Sequence, residues 1–209
     1  MINVGNDMGR FIGIAILAII MLGCQSDAPR VIDPLADASV TLVTQDSQRV
    51  VFPTDFEGTP TVVGAIYTHC PDVCPLITAN MKEIRRALGP DTARVQFVSI
   101  TFDPQRDTPQ RLAEYRALYS IQDPQWPFLT GDTSAINRAM ATLNIVHKPV
   151  TPAGDPVDPD TASAYTFLHT DRIVVLDAQG RLRARFSGSR TPPDMVVETI
   201  EALQSEWMF

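Results

Sequence analysis

The stretch Thr61-Val62-Val63-Gly64-Ala65-Ile66-Tyr67 reads as a continuous apolar strand, and Arg94-Val95-Gln96-Phe97-Val98-Ser99-Ile100-Thr101-Phe102, rich in β-branched and aromatic residues, reads as a second strand that ends at Asp103-Pro104. Upstream, Val40-Thr41-Leu42-Val43-Thr44 alternates apolar with polar. The polar turn Gln45-Asp46-Ser47-Gln48 and Arg49-Val50-Val51-Phe52 complete a predicted β-hairpin. A second hairpin is predicted at Arg172 to Asp177 and Arg181 to Phe186, around Ala178-Gln179-Gly180, and Trp126 to Gly131 is a short strand candidate. Helical spacing appears between them. Met81, Ile84 and Leu88 form one stripe, and Leu112, Tyr115 and Leu118 form another in a helix capped by Thr108 with Pro109 at its first position. Asp132 or Thr133 caps a helix through about Leu143, and a last one from about Pro193 to Trp207 turns Val196, Ile200 and Leu203 inward. From His147 to Ala164, prolines at 149, 152, 156 and 159 leave no regular element, and a loop that long in a compact domain is usually functional or disordered.

Strands alternating with helices, finished by an antiparallel hairpin and a helix, describe an α/β fold with a mixed sheet covered on both faces. A thioredoxin-like domain with additional β-hairpins has this order. The 209 residues suit one such domain plus an N-terminal appendage. A formal charge of −7 argues against nucleic acid and against an anionic lipid surface, which both call for a basic patch.

The appendage has its own pattern. Phe11 to Gly23 is uninterrupted apolar sequence, but its thirteen residues fall short of the ~20 that cross a bilayer, so it reads as a signal-peptide core. It ends in Met21-Leu22-Gly23-Cys24, which resembles the lipobox of bacterial lipoproteins, with Met21 where leucine is usual. The division expected is a signal peptide over 1–23, the lipidated Cys24 with a polar, proline-bearing linker over 24–38, and the domain over 39–209. The body of the protein is then exported, on the periplasmic face of a bacterial membrane and held there by lipid.

Export sharpens the cysteine arithmetic. Of three cysteines, Cys24 is assigned to lipid, which leaves Cys70 and Cys74 as a pair in an oxidising compartment. A disulfide closing so short a loop would constrain little chain entropy, so structure alone is a poor reason for the pair. It lies where the strand ending at Tyr67 hands over to a helix, the position at which open α/β sheets place ligands. Backbone N–H groups and the helix dipole there favour thiolate, the form that binds metal or attacks a disulfide. A metal held by two thiolates wants a third ligand, usually imidazole. Three histidines are available. His69 points to the opposite face from Cys70 if the strand continues, His147 opens the proline-rich loop as a solvated residue, and His169 precedes the strand at Arg172. On physical grounds alone His169 is a modest candidate, since a lone histidine is more often structural than a ligand.

The run Thr68-His69-Cys70-Pro71-Asp72-Val73-Cys74-Pro75 resembles the copper-site motif of the Sco/SenC family. Asp103-Pro104-Gln105-Arg106-Asp107-Thr108-Pro109 is similar to that family's Asp-Pro-x-Arg-Asp-Thr-Pro stretch. His169, followed by a strand and Asp177-Ala178-Gln179-Gly180, resembles its third copper ligand and the turn beyond it. The similarity spans roughly residues 40 to 205. It implies a thioredoxin-like fold, one copper ion held by Cys70, Cys74 and His169, and a part in assembling the binuclear copper centre of cytochrome c oxidase. The chain departs from the family at Thr170, where serine is usual, and at Val174, where tyrosine is usual.

Two soft thiolates with one imidazole suit Cu(I) in trigonal geometry, and an open fourth position would let a recipient ligand take the metal; Cu(II) remains an alternative. The partners implied are the copper-centre subunit of the oxidase, a copper donor protein, and a thioredoxin-like reductant for the thiols. The rival reading is enzymatic: a thiol-disulfide oxidoreductase that reduces the oxidase's copper-centre cysteines, using Cys70 and Cys74 and leaving His169 without a task. Asp103 and Asp107 read as turn and capping residues, and Trp126 and Trp207 as packing.

Overall fold

The computed structural model describes residues 28–33, 35 and 39–207, so the expected signal peptide and Cys24 lie outside the described residues. Among the described residues, nine strands and four α-helices follow in the order β1 (Val40–Thr44), β2 (Arg49–Phe52), β3 (Thr61–Ile66), α1 (Val73–Ala87), β4 (Gln96–Thr101), α2 (Pro109–Leu118), β5 (Phe128–Thr130), α3 (Thr133–Thr142), β6 (His147–Val150), β7 (Thr166–His169), β8 (Ile173–Leu176), β9 (Leu182–Phe186) and α4 (Pro193–Trp207).

Seven strands make one mixed sheet in the order β2-β1-β5-β4-β3-β8-β9. The two apolar runs are its centre: β3 pairs with β4 in parallel, Val63 opposite Val98 and Ile66 opposite Thr101, and β8 flanks β3 antiparallel. Every residue of β3 and all but the first of β4 are buried, as continuous apolar runs require when helices cover both faces. One of those helices, α1, packs so closely on β3 that a Cβ at Gly64 would sit 2.3 Å from Met81 Sδ. Both expected hairpins form, β1 with β2 and β8 with β9. The expected caps are also present: Thr108 Oγ1 accepts from Arg111 N–H, and Asp132 Oδ1 from Ala135 N–H.

Three particulars differ from the sequence expectation. The chain from His147 to Val150 is not irregular; it pairs antiparallel with β7 in a separate two-stranded ladder, with Lys148 opposite Leu168. Its prolines hid this, yet Pro149 sits in a strand with one neighbour, where its missing N–H costs nothing. Leu118 does not continue the stripe of Leu112 and Tyr115; it ends α2 and is 76% exposed. Part of the expected linker lies on the domain: Ile32 N–H donates to the Leu182 carbonyl, Leu182 N–H to that of Asp33, and Leu35 is buried.

Candidate metal site

The site is assembled where β3 ends. Tyr67 closes the strand, a turn bonds Cys70 N–H to the Tyr67 carbonyl at 3.3 Å, and α1 begins at Val73. Cys70 is therefore on the turn and half-buried, whereas Cys74 lies in the first helical turn and is fully buried. Cys74 N–H donates to Cys70 Sγ at 3.4 Å, the kind of backbone bond that stabilises a thiolate at a helix start.

The preceding turn is fixed by Asp107. This carboxylate is fully buried and accepts from Thr68 N–H at 2.9 Å and from the hydroxyls of Thr68 and Thr101 at 2.5 Å each. Burial raises its pKa, and the three donors work against that rise. Asp103 is equally buried, paired with Arg106 and accepting from the Tyr165 hydroxyl at 2.8 Å. Both carboxylates thus do more than the turn and capping chemistry expected of them, because they tie three segments together below the cysteines.

The third element is the β6–β7 ladder. In its register His147 lies opposite His169 and Pro149 opposite Phe167, so these four share one face. That face packs on the aromatic ends of β3 and β4. Phe102 lies 4.8 Å from the His169 ring and 5.2 Å from Phe167, and Tyr67 meets Phe167 and His169 edge-on. The Tyr67 hydroxyl bonds Thr166 Oγ1 at 2.8 Å, and Arg106 lies 3.7 Å from the Tyr165 ring centre while donating to that residue's carbonyl. Among the described residues, Cys70, Cys74 and His169 bring their Sγ and ring nitrogen atoms within 4.8 Å of one another, with Cys74 Sγ 3.9 Å from His169 Nε2.

The other two histidines stand apart from this cluster. His69 is exposed, with Nδ1 3.2 Å from Thr68 Oγ1 and 3.9 Å from Asp107. It groups with Asp103 and Asp107, but those carboxylates are already engaged. His147 is not a solvated loop residue: it bonds Asn137 Oδ1 at 2.9 Å and faces Phe102, and burial lowers its pKa. At the family departures, Thr170 keeps a hydroxyl, which accepts from Val146 N–H at 3.1 Å, and Val174 is fully buried. Trp126 is buried and donates to Ser99 Oγ at 3.0 Å, a packing role as expected. Sequence reasoning missed the aromatic floor of Phe102 and Phe167; its one visible signal was the aromatic residue at the end of β4.

Charge at the two thiols is unequal. The neighbouring Cys74 side chain holds the Cys70 pKa far below the ordinary thiol range, against its burial and helped by His169. The same interaction and burial push the Cys74 thiol up. The two thiols thus compete for one proton, with Cys70 the readier of the two to ionise. A soft cation that displaced this proton would meet two thiolates and an imidazole, a donor set for Cu(I) or Zn²⁺ and a poor one for Mg²⁺ or Ca²⁺.

Comparison with known proteins agrees with this geometry. The SCO1 protein homolog of Bacillus subtilis is 22% identical over 187 residues, 88% of this chain and 92% of its own. The structure of Bradyrhizobium japonicum ScoI with copper bound is 30% identical, with a TM-score of 0.64, covering 79% of this chain and 96% of its own. Two more distant structures share the fold. A SCO1/SenC family lipoprotein from Bacillus anthracis has a TM-score of 0.67 at 23% identity, covering 79% of this chain and 93% of its own. BsSco, described with a disulfide switch and as a member of the Sco family of cytochrome c oxidase assembly proteins, has 0.65 at 22%, covering 85% and 96%. The family model named SCO1/SenC matches residues 34–205, most of the chain, and with its thioredoxin-like mixed sheet this protein belongs to the SCO1/SenC family.

Proposed function

We propose that this chain is a copper chaperone that holds one ion through Cys70, Cys74 and His169 and delivers it during assembly of the binuclear copper centre of cytochrome c oxidase. The observation that carries the reading is the convergence within 4.8 Å of three donor atoms from Cys70, Cys74 and His169, the last of them 95 residues beyond Cys74 in sequence. Bound copper in the Bradyrhizobium relative and the oxidase-assembly family of BsSco support it. Each residue has a task. Cys74 is the buried anchor, Cys70 the half-exposed thiolate that meets the incoming ion first, and His169 the imidazole brought in from the ladder. Three donors leave room for a recipient ligand, which transfer requires.

The proposal includes export and tethering, with 1–23 a signal peptide, Cys24 lipidated at the periplasmic face, and 24–38 leading to the domain over 39–209. No helix among the described residues is long and apolar enough to cross a membrane. Titration of the reduced chain with Cu(I) against a competing chelator tests the site: one equivalent that needs Cys70, Cys74 and His169 is expected, and binding indifferent to all three would refute it.

The inequality of the thiols favours a second reading, reduction of the oxidase's copper-centre disulfide. The Cys70 thiolate would attack one sulfur of that disulfide and expel the other as a thiolate. Cys74, giving up its proton, would then attack Cys70 Sγ, releasing the partner's second thiol and leaving the Cys70–Cys74 disulfide for an external dithiol to reduce. Incubating the reduced chain with an oxidised copper-centre peptide and trapping the mixed disulfide in Cys74→Ser separates the two readings.

A further inference from the structure

Only Thr170, Asp171 and Arg172 link His169, the last residue of β7, to Ile173 of β8, so this short crossing sets where the imidazole points. Nδ1 of His169 lies 3.3 Å from the Thr170 carbonyl. That oxygen accepts the ring proton and leaves the lone pair on Nε2, the nitrogen nearest Cys74 Sγ. The carbonyl shares its peptide plane with the Asp171 N–H. Whatever holds Asp171 therefore holds the acceptor that fixes the ring.

Asp171 is held by the loop between β9 and α4. Its carboxylate accepts from Ser187 Oγ at 2.7 Å, Ser189 Oγ at 2.7 Å and Ser189 N–H at 2.9 Å. That loop is fastened in turn to α1, where Asn80 Nδ2 donates to the carbonyls of Gly188 at 2.8 Å and Thr191 at 2.9 Å. Gly188 closes the joint: a Cβ there would sit 2.8 Å from Ile77 Cγ1 and 2.9 Å from Asp171 Oδ1. Ile77 and Asn80 lie on the helix that carries Cys74 in its first turn. A continuous path thus runs from the helix of the thiols through Asn80, the 187–191 loop and Asp171 to the Thr170 carbonyl, outside the main sheet.

We propose that Asp171 is a positioning residue for the metal site, clamping the His169 imidazole to the helix that bears the cysteines. The inference rests on the reading of His169 as a ligand. Groups that orient a metal-bound histidine are typically worth about 10- to 100-fold in metal affinity, which sets the size expected here.

The test is a double-mutant cycle on the full-length chain in detergent, read as Cu(I) affinity by chelator competition. Asp171→Ala is expected to weaken binding about 10- to 100-fold when His169 is present and to add nothing in the His169→Ala background. Asp171→Asn keeps one acceptor oxygen, and the serine hydroxyls can turn to face its amide, so most of the affinity returns. Equal losses in both backgrounds would mean general damage to the fold and overturn the proposal. Full affinity in Asp171→Ala with a loss in His169→Ala would overturn the clamp while sparing the ligand. No effect of His169→Ala would refute the ligand reading and the clamp with it. If the Asp171→Ala chain does not fold, Ser187→Ala with Ser189→Ala removes two donors from the other side and reads the same coupling.

Discussion

The two halves of the proposed metal site are built in different ways. Cys70 and Cys74 belong to the turn after β3 and the first turn of α1, with a wholly buried strand behind them and a buried carboxylate, Asp107, beneath. His169 arrives on a two-stranded ladder that shares no hydrogen-bonded pairing with the main sheet. Such a ladder is marginal alone, and here side chains hold it: the Tyr67–Thr166 hydroxyl bond, the Arg106–Tyr165 stack and the aromatic floor of Phe102 and Phe167. The thiolates are fixed by the core, whereas the imidazole is fixed by contacts that can be removed one at a time without dismantling the fold.

The largest effect should come from the core half. Ile100→Ala, on the central strand β4 and fully buried, is expected to cost about 2–5 kcal/mol in global stability, read as a shift in denaturant midpoint. A midpoint unchanged within error would contradict the rigid-core side of the comparison. Next come the donors. Structural zinc sites release roughly 10–16 kcal/mol over four ligands, so a lost donor is worth about 3 kcal/mol, or about two orders of magnitude in affinity. Cys74→Ser and His169→Ala should each lose about that much Cu(I) affinity, with His169→Ala leaving the unfolding midpoint close to wild type. A collapsed midpoint in His169→Ala would show that the ladder is part of the core.

A smaller effect should expose the ladder itself. Tyr165→Phe removes a bond to the buried Asp103 carboxylate, worth about 1.5–3 kcal/mol. Amide exchange is expected to speed up in β6 and β7 while β3 and β4 keep their protection. Uniform acceleration everywhere would erase the distinction between the halves. The subtlest difference is between the two sulfurs. An ordinary thiol loses reactivity about tenfold per pH unit below a pKa of about 8.5. Because the Cys70 pKa is depressed to about 3, its thiolate persists well below neutrality, and alkylation of the reduced apo chain by iodoacetamide should stay nearly flat from pH 8 to 5 at Cys70. A tenfold fall per unit would place the charge elsewhere.

Legibility followed the same division. The Cys pair was readable because everything that defines it is local: an apolar run, a turn, a helical stripe. The ladder was not, because His147 to Val150 contains Pro149 and takes its partner from β7 across the proline-rich segment. Asp103 and Asp107 were read as turn residues because sequence shows their neighbours and not Tyr165, Thr101 or Thr68 closing over them. His169 was singled out chiefly by family resemblance; its place before a strand made it only a modest candidate, and nothing local showed that His147 shares its face of the ladder.

By itself, then, the sequence determined the order of strands and helices, the buried centre of the sheet and the place of the thiols, since hydrophobic period and turn chemistry act over a few residues. Only the tertiary structure decided which imidazole meets the sulfurs and how the loop around Asp171 joins the end of β7 to α1. Those outcomes depend on side chains about a hundred residues apart being packed into contact, and no local pattern encodes such a meeting.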